Sequence, residues 1–207
     1  MKERPPLVFI VDDDDAVRNS IRLLMKSLGH ATQTLPSAKA FLTTYDPEQP
    51  GCLILDVRMP GMSGLELQQE LNIRGAVIPV IFITGHGDVP MAVEAMQQGA
   101  FDFLQKPFRD QDLIERVQRA LTKDQSNRAE LGERAKVRER FESLTPRERE
   151  VLALVTSGKA NKVMAADLDV SQRTVEIHRS RVMEKMHATS LAQLVRMMLD
   201  LEESKQS

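Results

Sequence analysis

The chain has one cysteine, Cys52, and no tryptophan among its 207 residues. A single cysteine excludes an internal disulfide, which fits a reducing compartment. No apolar run approaches the roughly 20 residues that a membrane-spanning helix needs. The opening MKERPP is charged and leads into a strand-length segment that ends in acids, so it lacks the pattern of a signal peptide. We therefore expect a cytoplasmic protein without a membrane partner.

A large excess of charge is also missing, since the formal net charge is only −2. This near balance hides an asymmetry between the two parts of the chain. Residues 1–121 hold 12 basic and 16 acidic side chains, whereas residues 122–207 hold 16 basic and 14 acidic ones. The asymmetry indicates two domains with different partners, but it is too small to announce nucleic-acid binding alone.

Strand-like and helix-like segments alternate through residues 1–122. The predicted strands are 7–11, 31–35, 52–56, 77–84 and 101–105. Helical periodicity lies near 15–28, 37–45, 64–73, 89–98 and 110–122. The first, third and fourth strands are nearly continuous apolar runs, as in strands buried on both faces. Five βα units predict an α/β domain with a five-stranded, parallel, doubly wound, flavodoxin-like sheet.

Several residues at the helix ends agree with these boundaries. Ser37, Ser63 and Asp88 can accept hydrogen bonds as N-caps. Gly29 and Gly99 stand where C-terminal glycines belong. The spacing of these residues supports helices that begin and end close to the predicted limits.

The rest of the chain has no strand pattern. Residues 123–142 are polar, and the sequence leaves both a solvated helix continuing the fifth βα unit and a partly mobile linker open. From Leu144 onward the pattern is purely helical, and Thr145 opens a helix with Pro146 and a capping box completed by Glu148. We predict an all-α, four-helix domain over 143–207, in which a tight turn joins two helices as a helix-turn-helix.

Polar groups converge at one edge of the predicted sheet, where functional groups gather in open α/β folds. The residues at the carboxyl ends of strands are Asp12, Asp13, Asp56, Thr84 and Lys106. Carboxylates at this density suit Mg²⁺, and a carboxylate can attack phosphorus as a nucleophile. Lys106 and the Thr84 hydroxyl would then contact phosphoryl oxygens. Asp14 and Asp15 are expected instead to favour the first turn of the next helix.

These motifs resemble those of the receiver domain of two-component response regulators. The matching stretches are VDDDD, DVRMPGMSG, ITGHGD and KPF, within residues 7–121. The resemblance implies that Asp56 is the phosphoacceptor. It also implies Mg²⁺ held by Asp12, Asp13 and Asp56, with the backbone carbonyl of Arg58 as a further ligand.

The same resemblance assigns roles around the site. It implies a cis bond between Lys106 and Pro107, and it places Phe103 at the aromatic switch position. His86 stands two residues after Thr84, where a catalytic role and a loop histidine that shapes access both stay open. A magnesium-dependent phosphatase is an alternative hypothesis. Such an enzyme would need a catalytic Asp two residues after its nucleophile, and Arg58 stands at that position. Another alternative is a phosphorylation-independent DNA-binding or protein-interaction module with a vestigial receiver, and the intact Asp13, Asp56, Thr84 and Lys106 argue against it.

The helix-turn-helix region carries a face suited to the major groove. Its apolar side is formed by Met164, Ala165, Leu168, Val170, Val175 and Val182. Its candidate DNA contacts are Ser171, Gln172, Arg173, Thr174, Glu176, His178, Arg179, Arg181 and Lys185. Arg can read guanine and Gln can read adenine, while hydroxyls and Lys hold phosphates. Glu176 fits only if it accepts from a cytosine amino group or faces the protein.

From Leu144 to about Leu201 the chain resembles the LuxR/GerE-type DNA-binding domain. The stretches that match are LTPREREVL, NKVMAADLDVSQRTVEIHRSRVMEKM and SLAQLV. This resemblance implies a dimeric binder of paired half-sites, with residues 171–187 as the recognition helix. Asn161 and Lys162, at the start of the preceding helix, are expected to contact phosphates.

A receiver domain followed by this DNA-binding domain resembles the FixJ-type response regulators. That resemblance implies a sensor histidine kinase as phosphoryl donor, a homodimer when phosphorylated, and transcriptional activation through RNA polymerase, with at most slow self-dephosphorylation as enzymatic activity. Candidates for the two-fold contact are Val93, Met96, Gln97 and Arg109. Phosphorylation could act in two ways, and the sequence leaves both open. One is dimerisation, and the other is release of a DNA-binding domain that the unphosphorylated receiver masks.

Overall fold

The computed structural model describes residues 4–85 and 89–203. The predicted cap Asp88 and the loop residue His86 lie outside the described residues. The chain divides into two compact units, and the boundary along the sequence falls between Arg128 and Ala129. Within the described ranges, none of the helices combines the length and apolar character needed to cross a membrane.

The first unit contains a five-stranded parallel sheet with strand order β2-β1-β3-β4-β5. Its strands are β1 (Leu7–Val11), β2 (Ala31–Leu35), β3 (Gly51–Asp56), β4 (Val80–Thr84) and β5 (Asp102–Gln105). The helices that alternate with them are α1 (Asp15–Ser27), α2 (Ala38–Thr44), α3 (Gly64–Ile73), α4 (Val89–Gln97) and α5 (Asp110–Glu142). The predicted doubly wound α/β fold is confirmed.

The fourth strand begins three residues later than predicted, at Val80. Pro79 precedes it and has no N–H to donate to a neighbouring strand. The carbonyl of Pro79 still accepts a hydrogen bond from the Leu53 N–H at 2.9 Å. The chain therefore reaches the sheet before the regular strand pattern starts.

Both faces of the central strands β1, β3 and β4 are buried, as their apolar sequences predicted. Along β1, Phe9 and Val11 pack into the core on one face, with residues of α2, α3 and α4. Val8 and Ile10 point the other way, into the core shared with α1 and the first part of α5. This alternation follows from the two-residue period of a strand. The polar groups of the site can therefore lie only at the ends of the strands.

The second unit is helical and contains α6 (Pro146–Thr156), α7 (Asn161–Asp167), α8 (Gln172–Lys185) and α9 (Leu191–Glu203). Helices α7 and α8 form the predicted helix-turn-helix, and Asp169 takes a positive φ of 52° in the turn. Met164, Val175 and Val182 of the predicted apolar side are at most 1% exposed. The segment 123–142, for which a helix and a linker were both open, belongs to the continuous helix α5.

Candidate functional site

Two carboxylates and one ammonium meet at the carboxyl edge of the sheet. Asp12 follows β1, Asp56 ends β3, and Lys106 follows β5. Since all three strands are parallel, their carboxyl ends reach the same edge. Lys106 Nζ lies 2.7 Å from Asp56 Oδ1 and 2.8 Å from Asp12 Oδ2. The structure therefore brings together three of the residues that the sequence placed at this edge.

The remaining oxygens of the two carboxylates are held by backbone N–H groups. The Asp14 N–H donates to Asp12 Oδ1 at 2.8 Å, and the Arg58 N–H donates to Asp56 Oδ2 at 2.7 Å. Asp12 is 1% exposed, whereas Asp56 is 7% exposed. Charge-assisted bonds of this kind fix the carboxylates in position without help from solvent. Asp56 has the more accessible carboxylate of the pair.

The charges at this edge shift one another's protonation. Burial raises the pKa of Asp56, and the hydrogen bond and charge of Lys106 only partly oppose that rise. For Lys106, burial acts to lower the pKa, but the hydrogen bonds and charges of Asp12 and Asp56 outweigh it and raise the pKa above its ordinary value. Lys106 is consequently a firmly charged cation beside a carboxylate of increased basicity, which suits a nucleophile.

Gly64 lets helix α3 begin directly against the phosphoacceptor candidate. A Cβ at this position would lie 2.3 Å from the backbone oxygen of Asp56 and 3.0 Å from a ring carbon of Phe82. The Gly64 N–H donates to the Val57 carbonyl at 2.9 Å, which closes the loop after β3. The sequence marked this glycine as part of a motif, and the close approach gives its physical reason.

Thr84 and Phe103 border the same edge. Thr84 is 2% exposed at the end of β4, and its carbonyl accepts from the Lys106 N–H at 2.7 Å. The Lys106–Pro107 peptide bond is cis, as the receiver resemblance implied. Phe103, on β5, is half-buried and packs against the core beneath the site. Whether Phe103 acts as a switch stays a prediction.

The four consecutive aspartates separate into different environments. Asp12 is buried at the site, and Asp14 caps helix α1 by accepting from the Ala16 N–H at 2.7 Å. Asp15 lies in the first turn of α1, while the Asp13 side chain is exposed. The expectation that two of the four acids start a helix is confirmed.

The donor set at this edge suits a hard divalent cation. Across the part of the chain that the structure describes, no three acidic, His or Cys side chains are close enough to hold a metal ion. Asp12 and Asp56 instead share Lys106. The exposed Asp13 directly follows Asp12 in the chain, so three carboxylates and one ammonium stand at or next to this edge, a formal excess of two negative charges. Oxygen ligands with that excess fit Mg²⁺.

Helices α7 and α8 present most of the predicted DNA contacts to solvent. The exposed members are Lys162, Ser171, Gln172, Arg173, Glu176 and Arg181. The half-buried members are Asn161, Thr174, His178 and Arg179. Arg179 donates to Asn161 Oδ1 at 3.0 Å, which links the middle of α8 to the start of α7. Ser171 also caps α8 by accepting from the Thr174 N–H at 3.1 Å.

Lys185 is engaged inside the second unit. Its ammonium lies 2.7 Å from Glu148 Oε2, and Glu148 is 2% exposed. Glu148 also accepts from the Thr145 N–H at 2.9 Å as part of the capping box of α6. Lys185 therefore joins the end of α8 to the start of α6. The sequence offered this lysine only as a DNA contact, because the distant partner cannot be seen along one helix.

The Glu148–Lys185 pair predicts a pH-dependent contribution to stability. Replacing Glu148 by Gln is expected to lower the free energy of unfolding at neutral pH by about 1–3 kcal/mol, since hydrogen bonds to a charged group are lost. The hydrogen bond from Lys185 lowers the pKa of Glu148 below 4.5. Its stabilisation is therefore present above pH 4.5 and is lost as pH falls through the folded-state value.

Urea unfolding of wild type and Glu148→Gln between pH 7 and 3 measures this difference. The gap between the two proteins should close in acid, where wild-type Glu148 becomes neutral as well. Glu150→Gln is the matched control, because Glu150 is exposed and pairs only across one turn with Arg147. A gap that stays constant down to the acid limit would contradict the ionic role.

Two exposed apolar side chains on the helix-turn-helix were missed from sequence. Ile177 on α8 and Val163 on α7 are each 47% exposed. Ile177 lies among the polar candidates Arg173 and Arg181 along the exposed face of α8. Residue type alone gave little signal, because single exposed apolar side chains are common on protein surfaces. Contact with a thymine methyl group is one use for an apolar side chain on this face.

The candidates for a two-fold contact lie on an accessible surface. Val93 is 51% and Met96 is 47% exposed on α4, and Gln97 is exposed beside them. Arg109, just before α5, is also exposed and pairs with Asp112 at 2.8 Å. The structure therefore leaves these four residues available, while the interface itself stays a prediction.

Comparisons with known proteins agree on both units. Residues 8–118 match the response regulator receiver domain, and residues 142–198 match the bacterial regulatory proteins of the LuxR family. The transcriptional regulatory protein FixJ of Azorhizobium caulinodans is 51% identical over 192 residues, which cover 93% of this chain and 91% of FixJ.

Solved structures extend the likeness over nearly the whole chain. The response regulator StyR is 44% identical with a TM-score of 0.81, covering 94% of this chain and 98% of StyR. Full-length FixJ from B. japonicum is 37% identical with a TM-score of 0.58, covering 97% of this chain and 99% of that one. The protein thus belongs to the two-component response regulators in which a receiver domain precedes a LuxR-type DNA-binding domain, and it regulates transcription.

Proposed function

We propose that a sensor histidine kinase phosphorylates this regulator on Asp56, and that the phosphorylated form dimerises and binds promoter DNA more tightly. The observation that carries the proposal is the shared ammonium of Lys106, 2.7 Å from Asp56 and 2.8 Å from Asp12. A cation in this position lowers the repulsion between an attacking carboxylate and an anionic donor. The chain would act as a phosphoacceptor and not as a turnover enzyme.

Mg²⁺ would be held by Asp12, Asp13, Asp56 and the backbone carbonyl of Arg58. When bound, the ion neutralises charge on the phosphoryl group during transfer. Asp56 supplies the attacking oxygen, and the Arg58 N–H holds the other oxygen of that carboxylate at 2.7 Å. Thr84 and Lys106 are positioned by the ends of β4 and β5 to contact phosphoryl oxygens once the group is attached.

The second unit would read DNA with the exposed face of α8. Gln172, Arg173 and Arg181 provide side chains that can pair with base edges, and Lys162 provides a phosphate contact. Ile177 would add an apolar contact to a thymine methyl group. With no membrane-spanning helix among the described residues, these roles fit a cytoplasmic regulator that activates transcription with RNA polymerase.

Ile177 and Lys162 make separable predictions about DNA binding. Ile177→Ala is expected to lose about 1–2 kcal/mol of affinity for the preferred site only, because several buried apolar carbons are removed. Lys162→Ala should weaken all sequences alike and reduce the slope of affinity against salt by about one, since one phosphate contact is lost. Fluorescence anisotropy at several salt concentrations measures both. Equal losses on specific and random DNA would contradict the role of Ile177.

Light scattering and DNA binding with and without beryllofluoride test the proposed function. The DNA is a fragment selected from a random-sequence pool by the beryllofluoride-loaded protein, in the presence of Mg²⁺. A doubled mass with tighter binding is expected, and a Val93→Glu, Met96→Glu variant should remain monomeric. Tighter DNA binding at unchanged mass would indicate that phosphorylation releases a masked DNA-binding domain and does not cause dimerisation. No change in either quantity would overturn phosphorylation control.

A further inference from the structure

Helix α5 faces the first unit with a stripe that ends in a buried charge. Its buried residues are Leu113, Val117, Ala120 and Asp124, spaced four, three and four residues apart. This spacing places them on one side of a helix. The first three are apolar, but Asp124 is 1% exposed and carries a carboxylate. A carboxylate so deeply buried needs bound partners to offset its desolvation.

Asp124 finds those partners at the beginning of β3 and on its own helix. The Gly51 N–H donates to Asp124 Oδ2 at 2.9 Å, and Arg128 Nε lies 2.9 Å from the same oxygen. Gly51 opens β3, where a Cβ would lie 1.9 Å from the backbone oxygen of Leu7. The carboxylate of α5 is therefore bonded directly to the backbone of a central strand.

Two further side chains of the same helical turn hold neighbouring backbone. Arg128 donates from Nη1 to the Pro47 carbonyl and from Nη2 to the Gln49 carbonyl, each at 2.8 Å. Asn127 Nδ2 donates to the Val77 carbonyl at 3.3 Å. We call Asp124, Asn127 and Arg128 the α5 clasp. The α5 clasp binds the segments that enter β3 and β4.

The strands entered at the α5 clasp are those that end at the phosphorylation site. β3 runs from Gly51 to Asp56 and spans about 20 Å at the usual rise per residue. β4 ends at Thr84. The α5 clasp and the site thus lie at opposite ends of the same two strands. The first unit also ends at Arg128, after which Leu131 and Ala135 of α5 are exposed.

We propose that the α5 clasp couples phosphorylation of Asp56 to the DNA-binding unit, with Arg128 as the principal positioning residue. Buried, hydrogen-bonded strands are stiff, so a small shift at the Asp56 end of β3 also displaces the α5 clasp, which binds the opposite end. The α5 clasp holds the entrances of β3 and β4, two of the three strands whose ends carry phosphoryl contacts. It is also the last attachment of α5 within the first unit. This inference rests on the proposed control of DNA binding by phosphorylation.

A change in the ratio of two DNA affinities tests the α5 clasp. The ratio compares the selected DNA fragment bound with and without beryllofluoride, in Mg²⁺, using the full chain. Wild type is expected to show a ratio of about 5–150. Arg128→Lys keeps the charge but cannot hold Asp124 and two carbonyls with one ammonium. It should reduce the ratio by about 2–30-fold.

Two additional variants separate coupling from stability. Asn127→Ala removes one neutral hydrogen bond of the α5 clasp and should reduce the ratio less than Arg128→Lys does. Arg134→Lys makes the same chemical change at an exposed position on α5 and should leave the ratio unchanged. Thermal unfolding verifies folding, and fluorine NMR measures beryllofluoride occupancy of each variant. A merely structural role would lower the unfolding temperature without moving the ratio.

The possible outcomes distinguish failure of the α5 clasp from failure of the proposed control of DNA binding by phosphorylation. A reduced ratio at full beryllofluoride occupancy in Arg128→Lys and Asn127→Ala supports the α5 clasp. An unchanged ratio in both variants overturns the α5 clasp and leaves phosphorylation control intact. A reduced ratio explained wholly by lower occupancy also overturns it, since the defect would then lie at Asp56. A wild-type ratio of one overturns the proposed function and the inference together.

Discussion

Asp56→Asn is expected to abolish phosphorylation, whether acetyl phosphate or a histidine kinase is the donor. An amide lacks the anionic oxygen that attacks phosphorus, although its carbonyl oxygen can still accept from Lys106. Intact-protein mass spectrometry in Mg²⁺ measures the added phosphoryl group. We expect the variant to acquire none and its DNA affinity to be insensitive to the donor. The protein should remain folded, because the change keeps the size of the side chain.

Two comparisons sharpen this result. Asp46→Asn is the matched control, because Asp46 is exposed and pairs with Arg4 away from the site. A phosphoryl group on the Asp56→Asn protein would contradict the assignment of the nucleophile. Because burial raises the pKa of Asp56 above 3.8, the wild-type phosphorylation rate should fall, as pH decreases, at a higher pH than for an ordinary aspartate.

Lys106→Met is expected to destabilise the first unit strongly, and Mg²⁺ is expected to restore part of the loss. Without the ammonium, the buried carboxylates of Asp12 and Asp56 face each other unpaired. Breaking such a pair should lower the free energy of unfolding by about 2–4 kcal/mol, less than for a fully buried pair, because the Lys106 side chain is 25% exposed. A divalent cation can supply the missing positive charge.

Thermal unfolding of wild type and Lys106→Met, in EDTA and in millimolar Mg²⁺, measures both effects. Mg²⁺ should raise the unfolding temperature of the variant more than that of wild type, because binding to the native state stabilises it. Lys123→Met removes an exposed lysine of α5 and should behave like wild type. An identical Mg²⁺ effect in all three proteins would contradict a metal site at this edge.

Much of the site followed from the sequence because its residues occupy strand ends. In a parallel sheet, the position of each strand along the chain determines which residue reaches the carboxyl edge. The apolar runs before Asp12 and Asp56 therefore located both carboxylates without knowledge of their distance. The place of Asp14 and Asp15 at the start of α1 followed equally from local helix electrostatics. The turn between α7 and α8 and the burial of Val175 on α8 were likewise predicted from the apolar pattern of a short segment.

The contacts that the sequence did not show are those between residues distant in the chain. Lys185 as a DNA contact stays a prediction, but its ion pair with Glu148, 37 residues away, was not foreseen. Asp124 and Arg128 looked like solvated charges in a polar segment until the backbone at Gly51, 73 residues from Asp124, approached them. The polarity of these side chains gave no sign of burial, because a paired charge and a solvated charge look alike in a sequence.

The sequence by itself determined the order of strands and helices along the chain and the acids and lysine at the carboxyl edge of the sheet, and it marked the helix that we propose faces DNA. These features depend on hydrophobic periodicity and on chemistry at element ends, which are local properties. Only the tertiary structure decided that Lys106 joins Asp12 to Asp56, that Lys185 pairs with Glu148, and that α5 holds the entrances of β3 and β4. Each of these depends on distances between segments far apart in the chain, and those distances exist only after the core has packed.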